Sequence, residues 1–238
     1  MTLRPSLPEP DHQSSSPLSP VASGNPITRL PVIVLLVHHR CNCRCLMCHL
    51  WKDDNHRALS LADVADWLRE WRALKVQRLV LSGGEPLLYP SLAQLAELMS
   101  GAGLSLTILT NGLLLPRHAE LVARYCQELV VSLDGPKLIH DQIRGVPGAF
   151  AKLAKGVAQV KAAAPGLRVT GRCTVQRHNY RYLRQTVDAA HHLGLERISF
   201  LAADTCSGAF SPKAGREAEL MDRVMLTLGD LPHLAAEI

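Results

Sequence analysis

From Pro31 onward the chain alternates two textures: short runs of β-branched residues and leucine, each followed by a stretch whose apolar positions return every third or fourth residue. A two-residue period puts alternate side chains on opposite faces of a strand, whereas a 3.6-residue period gathers them on one face of a helix. The runs predict six strands: Val32–Val37, Arg78–Leu81, Leu104–Leu109, Glu128–Ser132, Arg168–Val175 and Arg197–Leu201. Helical spacing fills the intervals. Ser60 with Asp63 is spaced as a capping box ahead of Val64, Ala65, Leu68 and Trp71, and Ser91 with Gln94 repeats it ahead of Leu95, Leu98 and Met99. Asn179 is placed to cap a helix carrying Leu183, Val187 and Ala190 that stops at Gly194, and a last helix over about residues 217–228 stops at Gly229.

Strands that alternate with helices build βαβ units, an α/β fold with a parallel sheet. Because the strands are nearly continuous apolar runs, both faces of that sheet are expected to be covered. Right-handed crossovers leave two architectures, an open doubly wound sheet or a partial barrel of six βα units, and periodicity alone does not choose between them. In both, a site forms at the carboxyl ends of the strands. The segments found there are CNCRCLMC after the first strand, SGGEP after the second, TNG after the third and SLDG at the end of the fourth. Four polar or glycine-rich loops therefore share one rim.

Composition adds boundaries to this picture. The 238 residues are 47% hydrophobic and 20% charged, ordinary globular usage and enough chain for one main core. Residues 1–29 are rich in Pro and Ser with little to bury, and read as a disordered leader ahead of a single domain over 30–238. No apolar run reaches the roughly 18 residues of a membrane span, and no basic region precedes an apolar core as in a secretory signal, so a cytoplasmic protein without a membrane partner is expected. The net charge of +5 is unevenly placed: between Gln142 and Val187 there are nine Lys and Arg and no acid. A solvated helix face accounts for most such runs. Aromatics at 4% argue against a base-stacking platform, and nucleic acid is not an expected partner.

Cys41, Cys43, Cys45 and Cys48 crowd into eight residues, while Cys126, Cys173 and Cys206 stand alone. In a reducing compartment clustered thiols point to metal rather than to disulfides. Soft sulfur selects zinc or iron–sulfur clusters, and structural zinc draws four ligands from two separated pairs. There is no second pair here. Three thiolates in the spacing C-x3-C-x2-C, namely Cys41, Cys45 and Cys48, leave a cluster iron without a protein ligand; the register Cys43, Cys45, Cys48 is the alternative.

The C-x3-C-x2-C loop after a first strand, with Asn42 and Arg44 completing CNxRCxxC, resembles the signature of the radical S-adenosylmethionine (radical SAM) enzymes. The resemblance spans about Pro31–Leu201 and implies a partial (β/α)6 TIM-like barrel of parallel strands. It implies that Cys41, Cys45 and Cys48 hold three irons of a 4Fe-4S cluster whose fourth iron is chelated by S-adenosyl-L-methionine. Gly83-Gly84-Glu85-Pro86 resembles the motif that receives the methionine ammonium. Ser132, in SLDG, lines up with a ribose contact of the anaerobic sulfatase-maturating branch, and Arg144, in HDQIRG, with the arginine that pairs with the methionine carboxylate. The family's reaction is reductive cleavage of S-adenosylmethionine to a 5'-deoxyadenosyl radical that abstracts hydrogen from a peptide or small-metabolite substrate. A cluster near or below the roughly −400 mV of plant-type ferredoxins implies a low-potential flavodoxin or ferredoxin as electron donor. The physics agrees: a ligand carrying a sulfonium, an ammonium and a carboxylate asks for an anion, a cation and glycines that admit close backbone approach.

Departures from the family pattern are Cys43, Met47 in place of an aromatic before the last cysteine, and no cysteine-rich SPASM or Twitch extension. Asn111 reads as a left-handed turn residue, with contact to the cofactor as the alternative, and Asp134 as turn or cap chemistry. His38 and His39 read as loop histidines beside the cysteines. Arg172, Gln176, Asn179, Asp204 and Cys206 are the candidates for substrate contact. An iron–sulfur electron carrier and a zinc-stabilised module are the rival readings.

Overall fold

A computed structural model of the chain describes residues 27–52, 57–204 and 222–238. Most of the expected leader, Cys206 and the first part of the expected last helix lie outside the described residues. The six expected strands form: β1 Val32–Leu36, β2 Arg78–Ser82, β3 Ser105–Thr110, β4 Cys126–Ser132, β5 Arg168–Val175 and β6 Ile198–Ala202. They pair in chain order from β1 to β6, every pair parallel. A doubly wound sheet reverses its strand order at a switch point, and this one never does. The result is an open half-barrel, the partial TIM-like α/β barrel.

Helices α1 Leu61–Ala73, α2 Leu92–Gly101, α3 Leu115–Tyr125, α4 Lys137–Arg144, α5 Ala149–Ala163 and α6 Leu183–His192 follow the strands. One face of the sheet, with Leu79, Leu81, Leu106, Ile108, Leu129, Val131 and Val169, packs against Val64, Trp71, Leu95, Met99, Leu115, Val122, Leu153 and Val160 of the helices. Each such side chain, removed from water, contributes about 1.5–3 kcal/mol. The strand residues between them face the concave side. There Ser82, Leu109, Ser132, Arg172, Thr174 and Leu201 come together at the carboxyl end of the sheet.

Several expectations need correction. The concave face is not covered at the edges of the sheet: Val32, Val34 and Leu36 on β1 are 43%, 56% and 49% exposed, and Leu201 on β6 is 49% exposed, because a half-barrel does not close on itself. Ser60 accepts the Asp63 N–H at 3.1 Å as expected, but Ser91 makes no side-chain cap. Asn179 does not cap α6, whose N-cap is Tyr182. It precedes a 3-10 turn, Tyr180–Tyr182, and its side chain is drawn inward. Of the last helix, the described part ends at residue 224; Gly229 sits inside a 3-10 turn, Leu228–Asp230, that leads into α7, Leu231–Glu237. Among the described residues no helix is long and apolar enough to cross a membrane.

Candidate cofactor site

The cysteine loop is held from two sides by backbone. On its approach, the His38 and Arg40 carbonyls accept the N–H groups of Gly84 and Glu85, each at 2.9 Å, so the SGGEP segment runs beside the strand that feeds the cysteines. This proximity explains the glycines: a Cβ on Gly84 would collide with the carbonyl oxygens of His39 and Arg40, and one on Gly83 with that of His38. Within the loop, Arg44 and Leu46 donate their N–H groups to the carbonyls of Arg144 (2.9 Å) and Ile143 (3.0 Å). Those carbonyls end α4, where a helix leaves its last acceptors open. The HDQIRG segment thus presents its helix C-terminus to the loop.

Glu85 ties the second loop to the third. Its carboxylate is buried and accepts the Leu87 N–H (3.0 Å), the Thr110 hydroxyl (2.6 Å) and the Asn111 N–H (2.8 Å). Burial pushes its pKa up, with those three donors pulling the other way. Pro86, also buried, opens the 3-10 turn that follows, Pro86–Leu88. Asn111 is not the left-handed residue of TNG. Gly112 takes the positive φ of 82°, and the Asn111 amide turns back to donate to Asn42 at 2.7 Å and toward Cys41 Sγ at 3.9 Å. A short amide next to a glycine looks the same in sequence in both roles, which is why this contact escaped the reading.

Asp134 and Arg144 form the fourth tie. Asp134 is fully buried; its Oδ2 lies 2.6 Å from Arg144 Nη2 and its Oδ1 accepts the Thr174 N–H at 2.9 Å. Arg144, 7% exposed, also directs Nη1 at Cys45 Sγ, 3.6 Å away. Next to this pair the buried imidazole of His140 accepts the Asp134 N–H through Nδ1 (3.2 Å), and burial, reinforced by the Arg144 charge, lowers its pKa to about 3.

These four loops enclose a cavity of about 330 Å³, within the roughly 300–1,000 Å³ of small-molecule sites. Cys41, Cys45 and Cys48 line it, as do Gly83, Gly84, Ser132 and Arg144; Glu85 and Pro86 stand behind the wall. Cys43 lines it too, although only 1% exposed. Hydrogen bonds to Cys41 and Cys45 raise the Cys43 pKa, and the same contacts lower those of its two neighbours, with Arg144 adding to the effect at Cys45; burial pushes Cys48 up to about 12. Among the described residues no three His, Cys, Asp or Glu side chains converge as one ion would require. Soft thiols spread along the wall of an open cavity suit a multi-iron group instead.

Of the substrate candidates, Arg172 and Asp204 line the cavity, whereas Gln176 and Asn179 are fully buried beneath the rim. Asn179 holds the end of β5 to the fourth loop by donating to the carbonyls of Asp134 (3.0 Å) and Thr174 (2.9 Å). Arg172 and Arg144 both have a buried Nε without a hydrogen-bond partner, but Arg144 is paired with Asp134 whereas Arg172 makes no ion pair among the described residues. His38 turns into the interior against Tyr89, where burial lowers its pKa.

The model of the Radical SAM superfamily matches residues 35–199. The chain is 33% identical over 159 residues to the AdoMet-dependent heme synthase of Methanosarcina barkeri, covering 65% of this chain and 45% of that protein. To the PqqA peptide cyclase of Ruegeria pomeroyi it is 35% identical over 167 residues, covering 67% and 44%. It therefore spans less than half the length of these relatives. Streptococcus suis SuiB superposes with a TM-score of 0.68 both bound to S-adenosylmethionine, at 19% identity covering 88% of this chain and 47% of SuiB, and bound to its precursor peptide SuiA, at 20% identity covering 88% and 45%. A half-barrel with a C-x3-C-x2-C loop at its rim, matched by the family model from β1 into β6, makes this chain a member of the radical SAM superfamily.

Proposed function

We propose that this chain is the cofactor-bearing domain of an enzyme that reductively cleaves S-adenosylmethionine and acts on a peptide or small metabolite. The observation that carries the reading is the shared cavity: three cysteines in the family spacing, the paired glycines, Ser132 and Arg144 all border one space. An iron–sulfur electron carrier has no use for such a cavity. When bound, the 4Fe-4S cluster and S-adenosylmethionine supply a 5'-deoxyadenosyl radical for hydrogen abstraction.

The chain's own residues take definable parts. Cys41, Cys45 and Cys48 are the cluster ligands. Gly83 and Gly84 leave room for close approach to their backbone, and Glu85, a buried carboxylate directly behind them, sets a negative potential for an ammonium. Ser132 faces the ribose, and the guanidinium of Arg144 faces the carboxylate. Arg172, on the β5 side of the same space, makes no ion pair among the described residues, which fits a substrate bearing a carboxylate or phosphate. Two functions follow for the surroundings: a low-potential flavodoxin or ferredoxin supplies the electron, and the reaction belongs in the cytoplasm.

The test is anaerobic reconstitution with iron and sulfide, reduction with dithionite, and assay of 5'-deoxyadenosine from S-adenosylmethionine, with Cys45→Ala as control. Product from the wild type alone supports the reading, and equal amounts from both overturn it.

A further inference from the structure

We propose that Arg144 tunes the reduction potential of the cluster by donating to the Cys45 thiolate, and that Asp134 is the positioning residue that sets the strength of that donation. The proposal rests on the assignment of Cys45 as a cluster ligand. It goes beyond that assignment because it concerns the protein before S-adenosylmethionine binds.

The geometry is a chain of three buried groups: Cys45 Sγ, the guanidinium 3.6 Å from it through Nη1, and Asp134 Oδ2 2.6 Å from Nη2. Asp134 has little freedom to swing away. Its Oδ1 accepts the Thr174 N–H, its N–H donates to His140 and its carbonyl accepts the Asn179 amide. The backbone of Arg144 is fixed as well, since its carbonyl accepts the Arg44 N–H one residue before Cys45. One residue therefore grips the cysteine loop by its main chain and addresses a sulfur by its side chain. The comparison with Cys41 is informative: the donor aimed at that sulfur is the neutral Asn111 amide, at 3.9 Å. The charge-assisted contact is the one at Cys45.

Hydrogen bonds to the sulfurs and nearby charge are the protein's main levers on such a potential. Reduction adds negative charge, so a guanidinium at the sulfur stabilises the reduced state more than the oxidised one and raises the midpoint. Asp134 carries the opposite charge one group further out. It fixes the guanidinium and also offsets part of its field. The two residues must then act with opposite sign, which no merely architectural role predicts, because loosening the loop from either side would move the midpoint the same way.

The experiment is a redox titration of the reconstituted protein, without S-adenosylmethionine, followed by electron paramagnetic resonance. Arg144→Gln is expected to lower the midpoint so that the equilibrium constant for reduction falls tenfold, or 59 mV for a one-electron couple. Asp134→Asn, which keeps an acceptor for the Thr174 N–H, is expected to raise the midpoint, and the double variant returns toward wild type. Arg144→Lys retains the charge but cannot span both partners; it gives a smaller drop and covers the case in which the Gln variant fails to assemble. Single variants that leave the midpoint unmoved, or shift it in one common direction, overturn the proposal while the cluster assignment stands. A wild-type protein that takes up no cluster overturns both.

Discussion

The two sides of the rim are built differently. Between β1 and β4 each loop is tied to another by buried hydrogen bonds: Gly84 and Glu85 to the approach of the cysteine loop, Glu85 to Thr110 and Asn111, Asn111 to Asn42, Arg144 to Asp134. Toward β5 and β6 the cavity wall carries an exposed Leu201 and Arg172, which makes no ion pair among the described residues. Fixed polar networks preorganise a site for a ligand that is always the same, and a cation not paired within the described residues suits a ligand that varies. The contrast matches the proposed division into a cofactor side and a substrate side.

Cys45→Ala should have the largest effect, bringing 5'-deoxyadenosine formation to background and lowering iron and sulfide content in the purified protein, while a variant at Arg172 leaves both intact. Acid should break the cofactor side next. His140 is held neutral, its pKa lowered from 6.5 to about 3 chiefly by burial. The unfolded chain takes up that proton below pH 6.5 and the folded chain does not, so stability is unaffected above 6.5 and falls as pH drops toward 3. The loss is on the order of 4 kcal/mol across that window. Urea unfolding at stepped pH measures it, and His140→Gln should flatten the slope; a slope unchanged in the variant would assign the effect to other groups.

Gly84→Ala should cost about 1–3 kcal/mol, because the new methyl meets backbone carbonyls that have no rotamer to escape into. For a chain of this size that lowers Tm by roughly 2–4 °C per kcal/mol. On the substrate side the sign reverses. Arg172→Leu removes a guanidinium whose Nε is buried without a partner, and should raise stability by about 0.5–2 kcal/mol while leaving substrate-free 5'-deoxyadenosine formation unchanged. A destabilised Arg172→Leu protein would mean that the cation serves the fold, and the contrast between the two sides would lose its basis.

Strand positions and the cysteine spacing were legible because period and spacing are local properties of sequence. Five of the six strands differ from expectation at their ends by one or two residues, and β5 runs over the expected Arg168–Val175. What escaped depends on contacts across the rim. Arg144 opens a stretch with no acid for more than forty residues, so its partner had to come from upstream, where Asp134 and Asp141 are both candidates. The structure divides them: Asp141 accepts the Gly148 and Phe150 N–H groups at the start of α5, and Asp134 takes the guanidinium. No spacing rule distinguishes the two. The basic stretch splits in the same way, since Lys152 and Lys155 lie on the solvated face of α5 while Arg144 and Arg172 turn to the cavity.

The helix end that receives the Arg44 and Leu46 N–H groups is supplied by residues about a hundred positions further along the chain. During synthesis the four thiols leave the ribosome long before the carbonyls that shape them exist, and contacts of such sequence separation form late. The loop can take its described shape only once α4 has been translated. A truncated product ending before residue 137 would display every cysteine of the loop and still lack the mould in which they are set.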